Sequence, residues 1–122
     1  MFNLLKRAPR RFMKSFGYTR DALVATFTKE ESFRLETIAF VLLLIIMLVC
    51  PWPWWKRVAM LASYLLIPLV EVLNSAIEDI CNLITMERNP LIKDAKDKGA
   101  LAVLLAIIIN AGVLAALIVA ED

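Results

Sequence analysis

The chain has 122 residues, 61% of them apolar and 21% charged, with a net charge of +2 and no histidine. Soluble globular chains are about 45–50% apolar, so this is a membrane protein and one domain at most. The absence of histidine excludes a His-based zinc site and a Ser–His or Cys–His catalytic pair within one chain.

Residues 1–27 read as an amphipathic surface segment. Phe2, Leu5, Phe12, Met13 and Phe16 alternate with Lys6, Arg7, Arg10, Arg11 and Lys14, and Leu23, Val24 and Phe27 extend the apolar face. An apolar face flanked by cations suits the membrane interface, and Pro9 and Gly17 are expected to break the segment into short pieces. Beside hydrophobic spans, an anionic membrane surface is the expected partner of these cations, and nucleic acid is not.

Thr28-Lys29-Glu30-Glu31 has the form of a capping box, with Thr28 as N-cap of a helix starting at Lys29. That helix is span one, residues 29–50, stopped by Pro51 and Pro53 beside the interfacial residues Trp52, Trp54 and Trp55. Its apolar run begins too far into the chain for a signal peptide, so no processing of the N-terminus is expected.

Span two occupies residues 57–86. Its first half is apolar, while its second half carries Glu71, Asn74, Ser75, Glu78 and Asn82. At about 100° per residue these fall within a sector of roughly 100° on one helix face. Ionisable groups in a segment this apolar mark function by default. Pro68 removes the helical partner of the Tyr64 carbonyl and is a candidate kink.

Asn89-Pro90 ends this element and starts the next, with Asn89 as N-cap and Pro90 at N1. Span three, residues 90–120, has a polar start in which Lys93–Asp97 and Asp94–Lys98 form i,i+4 pairs. Ala102, Ala106, Asn110 and Gly112 then offer small residues for close helix packing. Cys50 and Cys81 fall near opposite membrane faces, out of bridging distance, and read as inert thiols.

Twelve of the 14 Lys and Arg residues lie on the side of the N-terminal segment and the loop between spans two and three, and the Trp-rich turn holds Lys56 and Arg57. The positive-inside rule then places the N-terminus in the cytoplasm and the C-terminus outside. Counted at about 1.5 Å per residue from Val58, Glu78 lies at the cytoplasmic boundary, with Glu71 roughly 10 Å deeper. Glu30 and Lys96-Asp97 are expected at the same boundary. This suits chemistry between a water-soluble reagent and a lipid head group. A partly desolvated Glu71 fits proton abstraction from an alcohol. Glu30 and Glu78 are hard oxygen donors of the kind Mg²⁺ uses when phosphates also hold it. Lys96 is a point charge for phosphate. With glycines only at positions 17, 99 and 112, neither a Walker A loop nor a kinase Gly-rich loop can be written.

Glu71–Glu78 (EVLNSAIE) followed by Ala95–Val103 (AKDKGALAV) resembles the bacterial diacylglycerol kinase family of small three-span membrane enzymes, which includes undecaprenol kinases. SFGYTRDAL and KEESFRLE resemble the family's segments ahead of span one. The resemblance implies an all-α membrane protein, with an N-terminal amphipathic surface helix and three transmembrane helices in a homotrimeric bundle. Active sites would be shared between subunits in the bacterial inner membrane, moving the ATP γ-phosphoryl group to the hydroxyl of diacylglycerol with Mg²⁺. By motif position Glu71 is the base, with Asn74 orienting phosphate or base, and Glu30 and Glu78 are metal ligands that also approach ATP. Arg11, Tyr18, Glu87, Lys96 and Asp97 fall on the nucleotide side. Ser32, Phe33, Arg34, Glu36 and Ala100 fall near the lipid, where Glu71 also acts. Asn82 stands where the family usually has Asp, Asn89 where it has His, and Ala100 where some members have Ser. The rival readings are undecaprenol as the lipid acceptor and, from another class, a proton-coupled transporter using Glu71. The transporter has no use for Glu30, Lys96 and Asp97.

Overall fold

The computed structural model describes residues 2–121, which form helices α1 (Phe2–Lys29), α2 (Glu31–Val49), α3 (Trp54–Ile84) and α4 (Pro90–Val119). Helices α2, α3 and α4 are each long and apolar enough to cross a membrane. The chain divides into two compact units, Met1–Leu35 and Glu36–Asp122.

In the first unit α1 is one continuous helix, with Pro9 inside it. The expected breaks at Pro9 and Gly17 are therefore corrected. Pro9 leaves the Leu5 carbonyl without its helical donor, and the strong helix formers on either side carry the helix through. An isolated helical Gly costs only about 1 kcal/mol. The capping box is corrected as well. Thr28 is still helical, and its hydroxyl donates backward to the carbonyls of Val24 at 2.8 Å and Ala25 at 3.1 Å. Glu30 alone separates α1 from α2, and its N–H still donates to the Thr26 carbonyl at 3.0 Å. The end of α1 is closed instead by Arg34, whose Nη1 donates to the carbonyls of Phe27 (3.2 Å) and Thr28 (2.9 Å). Leu5, Phe12, Met13 and Phe16 remain exposed along α1.

In the second unit α3 and α4 pack against each other as an antiparallel hairpin. Few apolar side chains are buried: Met47, Met60 and Leu117 form a small core, bordered by Leu43, Trp52 and Val113. The many exposed leucines and isoleucines of α2 to α4 fit surfaces that meet lipid or neighbouring helices. The core lies at the end holding the Trp-rich turn. There Arg57 ties the turn to α3, donating from Nε to the Trp52 carbonyl and from Nη2 to the Cys50 carbonyl, both at 2.8 Å. Lys56 is buried, 5.7 Å from the ring centroids of Trp52 and Trp55, and its Nζ donates to the Ala120 carbonyl at 2.6 Å. Farther along the hairpin Asn110 Nδ2 donates to Ser63 Oγ at 3.0 Å, and Ser63 donates to the Met60 carbonyl at the same distance. Of the predicted small residues, Ala106 is buried, while a Cβ at Gly112 would meet open space. Both cysteines are free, with Cys81 buried and Cys50 half-buried.

Candidate active site

The 31 residues of α3 span about 46 Å, against roughly 30 Å of hydrocarbon core, so the polar second half need not lie wholly in lipid. On this half Glu71, Asn74 and Ser75 are half-buried, and Glu78 and Asn82 are exposed. Exposure thus rises along the stripe, away from the Ser63–Asn110 bond.

Because α4 returns antiparallel to α3, its polar start passes the end of this stripe. Asn74 lies against Gly99: its Oδ1 occupies the space that a side chain at position 99 would take. That oxygen is buried and accepts no hydrogen bond. Nearer the turn, Lys96 Nζ donates to Asn82 Oδ1 at 2.9 Å. Neither contact was legible in the sequence, because helical periodicity sets a face but not the register between two helices. Ala100, next to Gly99, is exposed.

The turn between α3 and α4 is built as its residues dictate. The N–H of Thr85 closes α3 onto the Cys81 carbonyl at 3.1 Å, and Glu87 N–H donates to Thr85 Oγ1 at 3.0 Å. Asn89 is the N-cap of α4, accepting from Leu91 N–H at 2.9 Å, with Pro90 following in the first turn, as expected. This turn and the start of α4 border an open surface cleft of ≈ 750 Å³, lined by the predicted residues Glu87, Lys96 and Asp97 with Arg88, Asn89 and Lys93. The expected i,i+4 pairs are present, Lys93–Asp97 at 2.6 Å and Lys98–Asp94 at 3.7 Å, all exposed. Lys96 is left without a carboxylate partner among the described residues, its ammonium held by a neutral amide.

On α2, Glu36 is half-buried and its carbonyl accepts from the Tyr64 hydroxyl at 2.8 Å. Phe40 stacks on Tyr64 at 5.9 Å and 22°. This clamp joins α2 to α3 about two turns before Glu71.

Six predicted residues belong to the first unit. Arg11 and Tyr18 are exposed on α1, Glu30 is half-buried at the helix break, and Ser32 is exposed in the first turn of α2. Phe33 and Arg34 are half-buried, and Arg34 is engaged in closing α1.

Among the described residues no cluster of three or more Cys, Asp or Glu side chains is arranged to hold a metal ion. The donors predicted for Mg²⁺ are two carboxylates, Glu30 and Glu78. The two belong to different units of the chain and do not make an all-protein cage; Mg²⁺ commonly takes one or two carboxylates and completes its shell with phosphate oxygens and water.

A family model described as prokaryotic diacylglycerol kinase matches residues 17–118, a range that contains every predicted site residue except Arg11. A diacylglycerol kinase of Escherichia coli strain K12 is 38% identical over 99 residues, covering 81% of each chain. One from Pseudomonas aeruginosa is 35% identical over 98 residues, covering 80% of each. One from Haemophilus influenzae is 31% identical over 97 residues, covering 80% of this chain and 82% of the relative. With three membrane-length helices in the matched range, this chain belongs to the prokaryotic diacylglycerol kinase family.

Proposed function

We propose that the chain is an integral membrane lipid kinase that transfers the γ-phosphoryl group of ATP to the hydroxyl of diacylglycerol, giving phosphatidic acid. The observation that carries this reading is the family match over residues 17–118, which includes the whole carboxylate and amide stripe of α3.

In this reading Glu71 is the general base. The lipid hydroxyl oxygen forms a bond to the γ-phosphorus as its proton passes to the Glu71 carboxylate. The bond from the γ-phosphorus to the β,γ-bridging oxygen breaks, and its electron pair leaves with ADP. Positioning and charge stabilisation carry most of such a reaction. Asn74 orients the reacting groups beside Glu71. Lys96, held by the Asn82 amide and with no carboxylate partner among the described residues, supplies positive charge to phosphate oxygens. Glu87 and Asp97, which line the cleft, meet the nucleotide, and Arg11 and Tyr18 are assigned to the nucleotide by motif position alone. Ser32, Phe33, Arg34, Glu36 and Ala100 border the lipid. Glu30 and Glu78 would hold Mg²⁺, which when bound neutralises charge on the ATP phosphates.

The assembly is a homotrimer with active sites shared between subunits. The exposed apolar surfaces of α2 to α4 and the small number of buried residues support a chain that completes its packing with other copies and with lipid. The Lys/Arg distribution supports a cytoplasmic N-terminus, with α1 lying in the membrane interface.

The test is transfer of label from γ-labelled ATP, with Mg²⁺, to diacylglycerol or undecaprenol in mixed micelles containing the purified protein. Label in phosphatidic acid is expected. Label in neither lipid overturns the kinase reading, and a preference for undecaprenol overturns the choice of acceptor.

A further inference from the structure

A Cβ at position 99 would collide with the Asn74 carboxamide oxygen and stand 3.1 Å from its Cγ, whereas Gly17 and Gly112 have open space at the same point. Gly99 is buried inside α4, where Gly costs roughly 1 kcal/mol relative to Ala. Its one visible effect is to make room for the Asn74 carboxamide.

The fit also orients that group. The Asn74 oxygen is buried and accepts no N–H or O–H donor. The glycine beside it offers no donor stronger than a C–H group. Reversing the amide would press two N–H donors against C–H groups, leaving two donors unmet in place of one acceptor. The oxygen is therefore the end sealed by α4, and the amide nitrogen faces away from it. A sealed oxygen has no lone pair to offer a metal ion.

We infer that Gly99 is a positioning residue for Asn74: its missing side chain lets the α4 backbone cap the Asn74 oxygen, so that Asn74 works as a hydrogen-bond donor to an anionic oxygen. This rests on the reading of Asn74 as part of the kinase site and deepens it, because it assigns which end of the amide acts and what holds it there.

The test compares Gly99→Ala, Asn74→Ala, the double variant and Asn74→Asp, reading kcat and KM for MgATP with diacylglycerol in micelles. Thermal unfolding and the Asn74 side-chain amide resonance in ¹⁵N-labelled protein are read in parallel. Displacing a reacting-site group by about 1 Å costs on the order of 10²-fold, so Gly99→Ala is expected to lower kcat by about that factor. KM should stay within about twofold, since a group acting mainly in the transition state moves kcat more than KM. Added to Asn74→Ala, the same change should alter kcat by less than about twofold, because both act through one group. Asn74→Asp keeps the oxygens and loses the donor, so it should lose as much kcat as Asn74→Ala.

Wild-type kcat in Gly99→Ala, a loss that adds in full to that of Asn74→Ala, or wild-type kcat in Asn74→Asp would each overturn the proposal. Should Gly99→Ala fail to fold, Asn74→Asp decides, since it leaves α4 untouched. The amide resonance separates this proposal from the kinase reading. It must move in Gly99→Ala whether or not the wild-type protein phosphorylates lipid, and an unmoved resonance overturns the contact itself.

Discussion

Lys96 of α4 donates to the Asn82 carboxamide of α3 at 2.9 Å, across the end of the hairpin nearest the turn. Asp97, its sequence neighbour, is taken by Lys93 at 2.6 Å. The Lys96 ammonium is thus held in place by a neutral group, and its charge stays available to an anion.

Lys96→Met should raise KM for MgATP more than it lowers kcat, because it removes charge that meets phosphate in both the ground state and the transition state. Asn82→Ala removes one hydrogen bond at an exposed site, worth about 1 kcal/mol, and should raise KM roughly fivefold. In the Lys96→Met background Asn82→Ala should have no further effect. Steady-state kinetics at fixed ionic strength check this, and equal effects in both backgrounds would show that Asn82 acts on something other than Lys96.

Glu71→Gln removes the base and keeps the shape of the side chain. General-base catalysis contributes about 10²–10⁴-fold, so kcat should fall by at least about 10²-fold while KM for MgATP holds. Assembly, read by size-exclusion chromatography in detergent, should be unchanged. A variant that retains more than a tenth of wild-type kcat would remove Glu71 from the role of base.

The opposite end of the hairpin should carry stability without chemistry. Lys56 is 3% exposed and donates to the Ala120 carbonyl at 2.6 Å. Lys56→Ala should cost about 1–3 kcal/mol, the range for losing a charged hydrogen bond together with its buried partner's satisfaction. Thermal unfolding in detergent should show the loss. At temperatures where the variant is folded, kcat should match the wild type, and a selective fall in kcat would contradict the separation of the two ends.

The spans were legible because hydropathy and proline punctuation act locally. Pro51 and Pro53 end α2, and Asn89-Pro90 starts α4 with the cap its side chain dictates. Thr28 misled because Thr-x-x-Glu fits both a helix start and a helix interior where the hydroxyl turns back to an i−4 carbonyl. Pro9 misled because a breaker is read alone, whereas its neighbours decide whether the helix continues. The polar stripe itself was visible as a helical face. Its contacts with Gly99 and Lys96, and the Tyr64–Glu36 bond that joins α2 to α3, were not, since each depends on how far one helix slides along the next.

Metal dependence offers the last test. Glu78 is exposed on the stripe, and no three-carboxylate cluster exists among the described residues. A metal held by two carboxylates and the ATP phosphates should leave with the nucleotide, so the apo protein should bind Mg²⁺ weakly. Chelation with EDTA should abolish label transfer to lipid, and excess Mg²⁺ should restore it without refolding. Glu78→Gln should raise the Mg²⁺ concentration needed for half-maximal rate while thermal unfolding of the apo protein stays unchanged. Isothermal titration of Mg²⁺ with and without a non-hydrolysable ATP analogue separates the possibilities. Tight binding without nucleotide would mean that the chain, and not the phosphates, supplies most of the shell.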